Sequence, residues 1–156
     1  MKATKKIPEG FTALTPFLTV RGGREAIEFY KKALGATEEG KVLSSDGRVE
    51  YAALKLGGAT LMIGDELDDM PTRSPREVGS SSVCLALYVD DVDAAVKRAT
   101  DAGAKVAAPV ENQYYGDRAG TLIDPFGHVW WIGTHVEDVS HEELARRAKE
   151  RGKKQT

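Results

Sequence analysis

The sequence has little of what builds covalent or metal-held scaffolds: among 156 residues there is one cysteine, Cys84, and three histidines, His128, His135 and His141. A single cysteine excludes an intrachain disulfide and favours a reducing compartment. Long apolar runs are missing as well. The longest, residues 83–89, is far shorter than the roughly 18–20 residues that span a bilayer, so no membrane partner is expected. The early lysines are followed by no apolar stretch of signal-peptide type, and a cytoplasmic location is the expectation. Charge of one sign does not dominate either. Lys and Arg number 22 against 24 Asp and Glu, a net −2, which gives nucleic acid no global attraction. The basic residues at the two ends (Lys2, Lys5 and Lys6; Arg146, Arg147, Lys149, Arg151, Lys153 and Lys154) read as solvated termini. There is no Gly-rich phosphate loop and no Ser-His-Asp arrangement. Apolar residues make up 41% and charged residues 29%, an ordinary globular balance. A chain of this length buries roughly 68–70% of its unfolded surface and needs no staple.

What is present is a pattern written twice. A strand-like run ends near Thr19-Val20. A helix pattern follows at Ala26, Ile27, Tyr30 and Leu34, closed by Gly35. Strands are predicted at 41–44, 49–56 and 59–63, divided by Asp46-Gly47 and Gly57-Gly58. The second half repeats this: a strand at 83–89, then Asp90-Asp91 as N-cap and an apolar stripe of Val92, Ala95, Val96 and Ala99. Gly103 ends that helix, and strands follow at 105–110, 119–123 and 129–133, with Asp124-Pro125-Phe126-Gly127 as a turn. Residues 58–64 lie over residues 127–133 by one shift, 127 − 58 = 69, and Val20 lies over Val89 by the same shift. The domain reading is a first βαβββ module over 11–66, a linker over 67–81 rich in Asp, Pro and Ser, and a second module over 82–136. A helix and tail occupy 137–156, opened by the capping-box match Ser140 to Glu143. Two such modules predict an α+β fold with a curved eight-stranded mixed sheet, helices outside it and a concave cleft within.

Several runs carry a more specific likeness: Thr15-Pro16-Phe17-Leu18-Thr19-Val20, the helix 26–36, Tyr115-Gly116-Asp117-Arg118, the segment 124–130 and the segment 134–140. Over about residues 11–147 the chain resembles the vicinal-oxygen-chelate superfamily, in its PhnB-like glyoxalase/bleomycin-resistance branch. The resemblance implies a glyoxalase-like fold, a homodimer and clefts built across a two-fold interface. It also implies where metal-dependent members carry their ligands: Thr15 on the first strand, Met62 on the last strand of the first half, and Cys84 and Trp131 at the matching places of the second. The spacing agrees, since 84 − 15 = 69 and 131 − 62 = 69. A hydroxyl, a thioether, a thiol and an indole are not a divalent-metal shell. No metal and no cofactor are therefore expected, and glyoxalase I or dioxygenase activity is disfavoured. A cluster of His135 with Glu137 is the remaining metal candidate.

Strand alternation adds Phe17, Thr60, Ala86, Tyr88, Val129 and His135 to the same face. The ligand-binding candidates are Thr15, Phe17, Met62, Cys84, Tyr115, Arg118 and Trp131, with Tyr114 near the rim. Arg118 could hold a carboxylate or phosphate, or simply pair with Asp117 at an exposed turn. Glu50 is a candidate general base if it faces the cleft. Cys84 is a weak nucleophile candidate with no evident His partner. Three functions remain open. The first is a protein that binds or sequesters a small aromatic or amphipathic molecule. The second is a metal-independent lyase or isomerase acting on a small carbonyl compound, and the third a dimeric interaction module with a filled cleft.

Overall fold

A computed structural model describes residues 5–154, with side chains through Gly152. Lys2 and the side chains of Lys153 and Lys154 lie outside the described residues; of the other terminal basic residues, Arg147 is half-buried and the rest are exposed. The elements in chain order are β1 Phe17–Val20, α1 Gly23–Leu34, β2 Thr37–Leu43, β3 Val49–Leu56, β4 Ala59–Asp65 and α2 Pro75–Val78. Then come β5 Cys84–Tyr88, α3 Val92–Asp101, β6 Lys105–Asn112, β7 Asp117–Ile123, β8 Val129–His135 and α4 His141–Lys154. Each expected strand and helix of the two modules is present. The short α2 falls within the segment read as a linker, where a single turn leaves no periodic trace.

Both module helices are started by a side chain from the last strand of their own module. Asp65, at the end of β4, accepts hydrogen bonds from the amides of Gly22 and Gly23 at 3.0 and 2.8 Å. Thr134 holds the matching place in β8, since 134 − 65 = 69. Its hydroxyl accepts from the Val92 amide and donates to the Val89 carbonyl, each at 2.9 Å. Asp91 adds an N-cap by accepting from the Ala94 amide at 3.0 Å. Gly35 ends α1 with φ of 72°, a left-handed conformation that a side chain would disfavour.

The strands pair in two mixed sheets of order β1-β4-β3-β2 and β5-β8-β7-β6. In each, the first strand runs parallel to the last, with Phe17 opposite Met62 and Ala86 opposite Trp131. The eight strands are thus divided into two hydrogen-bonded groups of four. Between the edge strands β1 and β5, residues of the 72–83 segment and His128 line a cavity of about 350 Å³. The modules meet through their helices, with α1 packed on α3. One apolar core runs through both, joining Leu18, Val20, Ile27, Tyr30 and Ile63 to Val92, Leu122, Phe126, Trp130 and Ile132. The expected placement of helices outside and cleft inside is therefore reversed within this one chain. The helical sides share the core, because the amphipathic stripes of α1 and α3 bury more by meeting than by facing water. No helix among the described residues is long and apolar enough to cross a membrane.

Candidate ligand-binding site

The helix-free face of the second sheet gathers aromatic and polar side chains into one strip. Trp131 sits in the middle of β8 and its ring runs along the strand over Gly133. A Cβ on Gly133 would stand 2.3 Å from the edge of that ring, so only glycine permits the indole to lie there. Gly64, 69 residues earlier, accepts the Phe17 ring in the same way, with a Cβ contact of 2.8 Å. Tyr88, opposite Gly133 across β5 and β8, packs edge-on against Trp131 at 5.1 Å between centroids. The Trp131 indole N–H donates to the Tyr115 hydroxyl at 3.3 Å, and Tyr115 in turn stacks edge-on with Tyr114. Arg151 of α4 lies over the Tyr114 ring.

The strip continues into a hydrogen-bonded chain. The Tyr88 hydroxyl donates to Asp117 at 2.8 Å. His135, opposite Asp117 in the ladder, places Nδ1 2.7 Å from its other oxygen. The second ring nitrogen, Nε2, lies 3.0 Å from Asp138. With a carboxylate on each side, the protonated ring can donate from both nitrogens. Hydrogen bonds to Asp138 and then Asp117 hold its pKa above the ordinary 6.5. The same Asp117, through its hydrogen bond first and burial second, pushes the Tyr88 hydroxyl upward. Asp117 is only 4% exposed.

The sequence-derived candidates are distributed unevenly. Cys84, Ala86, Tyr88, Val129, Trp131 and His135 share the second sheet's helix-free face by register, and Tyr115 reaches it through Trp131. Phe17 and Met62 are neighbours on the first sheet. Thr15 precedes β1 instead of lying on it, and its hydroxyl bonds the Thr12 carbonyl at 3.2 Å. Thr60 is buried under the N-terminal segment, holding the Gly10 carbonyl at 2.5 Å. Arg118 points the other way: its Nε and Nη2 donate to Asp93 of α3 at 2.7 and 2.8 Å, and Nη1 to Asn112 at 3.3 Å. The Asp117–Arg118 pair is not formed, since adjacent residues of a strand face opposite sides. Glu50 is exposed at a bulge, where Val42 pairs with Tyr51 and Leu43 with Val49, skipping it. Cys84 is exposed, with only the Leu85 carbonyl at 4.0 Å from its sulfur. Glu137 pairs with Arg147 and not with His135. His128 is buried against the Thr19 carbonyl at 3.2 Å, and burial lowers its pKa. Among the described residues no three His, Cys, Asp or Glu side chains are placed to hold a metal ion.

Asp117 is the residue that reading the sequence missed. Its signal was available: β7 pairs with β8, and alternation from Ala119 places position 117 on the Trp131 face.

A family model described as Glyoxalase/Bleomycin resistance protein/Dioxygenase superfamily matches residues 12–132. An uncharacterised protein of Mycobacterium bovis is 42% identical over 135 residues, covering 85% of this chain and 89% of its own length. The crystal structure of an Arabidopsis thaliana gene product superposes with a TM-score of 0.64 at 33% identity, over 78% of this chain and 98% of that one. A PhnB protein from Bacillus cereus superposes with a TM-score of 0.60 at 17% identity, over 79% and 99% of the two chains, a likeness of fold. The chain belongs to the glyoxalase/bleomycin resistance protein/dioxygenase superfamily.

Proposed function

We propose that this protein binds or sequesters a small aromatic or amphipathic molecule on the helix-free face of its second sheet. The observation that carries this is the Trp131 indole laid over Gly133, with Tyr88 against it and 60% exposed. The matching face of the first sheet is partly covered by its own chain, through Gly10 on Thr60 and Thr72 on Thr19 at 2.8 Å. A flat ligand over Trp131 and Tyr88 gains about 25 cal/mol per Å² of apolar burial. Stacking adds roughly 0.5–1.5 kcal/mol for each good aromatic contact. A second copy of the chain, paired about a two-fold axis, completes the cleft over this face; exposed Tyr88 here and exposed Phe17 and Val42 on the first sheet supply apolar surface for it.

The family's metal chemistry is absent from this reading. By the resemblance, Met62, Cys84 and Trp131 stand at ligand positions, with Thr15 just before β1, and the Trp131 indole offers no lone pair while filling space beside the strand. The second reading is a metal-independent lyase or isomerase. What favours it is the imidazole of His135, oriented by buried Asp117 on the same face.

The test is tryptophan fluorescence against a panel of aromatic antibiotics. Trp130 is buried in the core and serves as an internal reference. Saturable quenching is expected in the wild type and its loss in Trp131→Phe. A flat response across the panel from a correctly folded protein overturns the reading.

A further inference from the structure

We infer that the molecule bound here is an aromatic acid, its ring on Trp131 and Tyr88 and its carboxylate on His135 Nε2, in the place Asp138 now takes. This rests on the proposed aromatic site and adds the chemistry of the ligand. The strip is continuous. Trp131 touches Tyr88, Tyr88 donates to Asp117, and Asp117 holds Nδ1 of His135. An aromatic body over Trp131 therefore has a fixed hydrogen-bond donor at one end. Nδ1 is tied to a buried carboxylate, which fixes the ring and leaves Nε2 as the end that meets ligand.

Asp138 shows what Nε2 accepts. It is a carboxylate oxygen at 3.0 Å, on a side chain that is fully exposed and makes no other hydrogen bond among the described residues. An exposed ion pair of this kind contributes little, so a ligand carboxylate that also buries a ring displaces it readily. The exchange leaves one carboxylate on Nε2 while Asp138, freed but tethered nearby, still opposes the arriving anion. Other charges near the site are already committed or remote from Nε2. Glu137 pairs with Arg147, Arg118 with Asp93, and Tyr88 stays protonated on Asp117. Asp90 shares a shallow cavity with Tyr88, Thr134 and His135 and opposes the ligand, as do Asp117 on Nδ1 and the displaced Asp138. The first module has no equivalent, since Glu66 stands where 135 − 69 = 66 and is taken by Arg21 and the Ser74 amide.

The experiment compares naphthoate with naphthylmethanol, of like shape and no charge, by calorimetry. At about pH 6, where His135 is charged, naphthoate is expected to bind roughly tenfold tighter than naphthylmethanol, the worth of one charge-assisted hydrogen bond. His135 has a raised pKa, so the preference is full below 6.5 and is lost as pH rises through the raised value. Measurement at about pH 9 should find the two probes equal, naphthoate being ionised throughout. His135→Gln should abolish the preference. Asp138→Ala, a change at a fully exposed side chain, should strengthen naphthoate severalfold and leave naphthylmethanol unchanged. Equal binding of both probes by the wild type at about pH 6, or no gain in Asp138→Ala, overturns this inference and leaves the aromatic site standing. Failure of both probes to bind overturns the aromatic site with it.

Discussion

Asp124 holds the two halves of the chain together through one buried carboxylate. One oxygen accepts from the amides of Phe126 and His128, each at 2.9 Å, and closes the turn between β7 and β8. The other accepts from the Trp130 indole at 2.9 Å and from the Tyr30 hydroxyl at 2.5 Å. Four donors offset the cost of burying the charge. Tyr30 lies on α1 of the first module, so this bond crosses between modules in the middle of the shared core. Burial first, and the charge of Asp124 second, push the Tyr30 hydroxyl well above its ordinary 10.0, which keeps it a donor at any working pH. Tyr30→Phe keeps the ring among Phe29, Phe126 and Trp130 and removes only the bond. A loss of about 1.5–3 kcal/mol is expected, the range for a hydrogen bond to a charged group, read as a lower denaturation midpoint with an unchanged slope. The turn formed by Asp124-Pro125-Phe126-Gly127 was legible in the sequence because turn chemistry is local. The bond to Tyr30, 94 residues away, was not, because no spacing rule reaches across a core.

At the scale of elements, the helices show what can be read directly and what cannot. The sequence offers Asp90-Asp91 as the cap before an apolar stripe, and of the two it is the Asp91 carboxylate that accepts from the Ala94 amide. Asp91→Ala should cost about 1 kcal/mol, within the usual 0.5–2 for a lost N-cap. The melting temperature is the check. Ser140 accepts from the Glu143 amide at 3.3 Å as its motif implies. The reciprocal arm goes elsewhere, for Glu143 is gripped by Arg146 and Arg147 and held near a pKa of about 2. The strands were legible from alternation and from the Gly pairs between them. Their ends were not: β7 starts two residues earlier than expected, at Asp117, and that difference hid the partner of His135. The Trp131 face was visible in outline through the shift of 69 residues. The positions of Arg118 and Thr60 were not, because each depends on a neighbour from a distant segment, Asp93 of α3 and Gly10 of the N-terminal stretch.

For the whole molecule, duplication made two equivalent faces and the connecting chain distinguished them. In the first half, the segment before β1 and the segment after β4 lie on the sheet and take up Thr60, Thr19 and Glu66. In the second half the matching strip remains accessible, and the Trp131 indole lies on it, at a place where the resemblance puts a metal ligand. That substitution makes a quantitative claim about metals. An ion bound to the folded state alone, supplied at a hundred times its dissociation constant, stabilises by about 2.7 kcal/mol. For a chain near 150 residues this is roughly 5–11 °C in melting temperature. Zinc, nickel, cobalt and manganese should each leave the melting temperature of this protein within about 1 °C of the chelator-treated sample, well short of that response. Trp131→His puts one imidazole in the set but leaves Thr15, Met62 and Cys84 as the rest, so that at most one thiolate joins it, too few donors for a shell, and the variant should respond no more than the wild type. A rise of several degrees with any one of these ions, in the wild type, would mean that donors converge on a cation after all and that the indole moves aside to admit it.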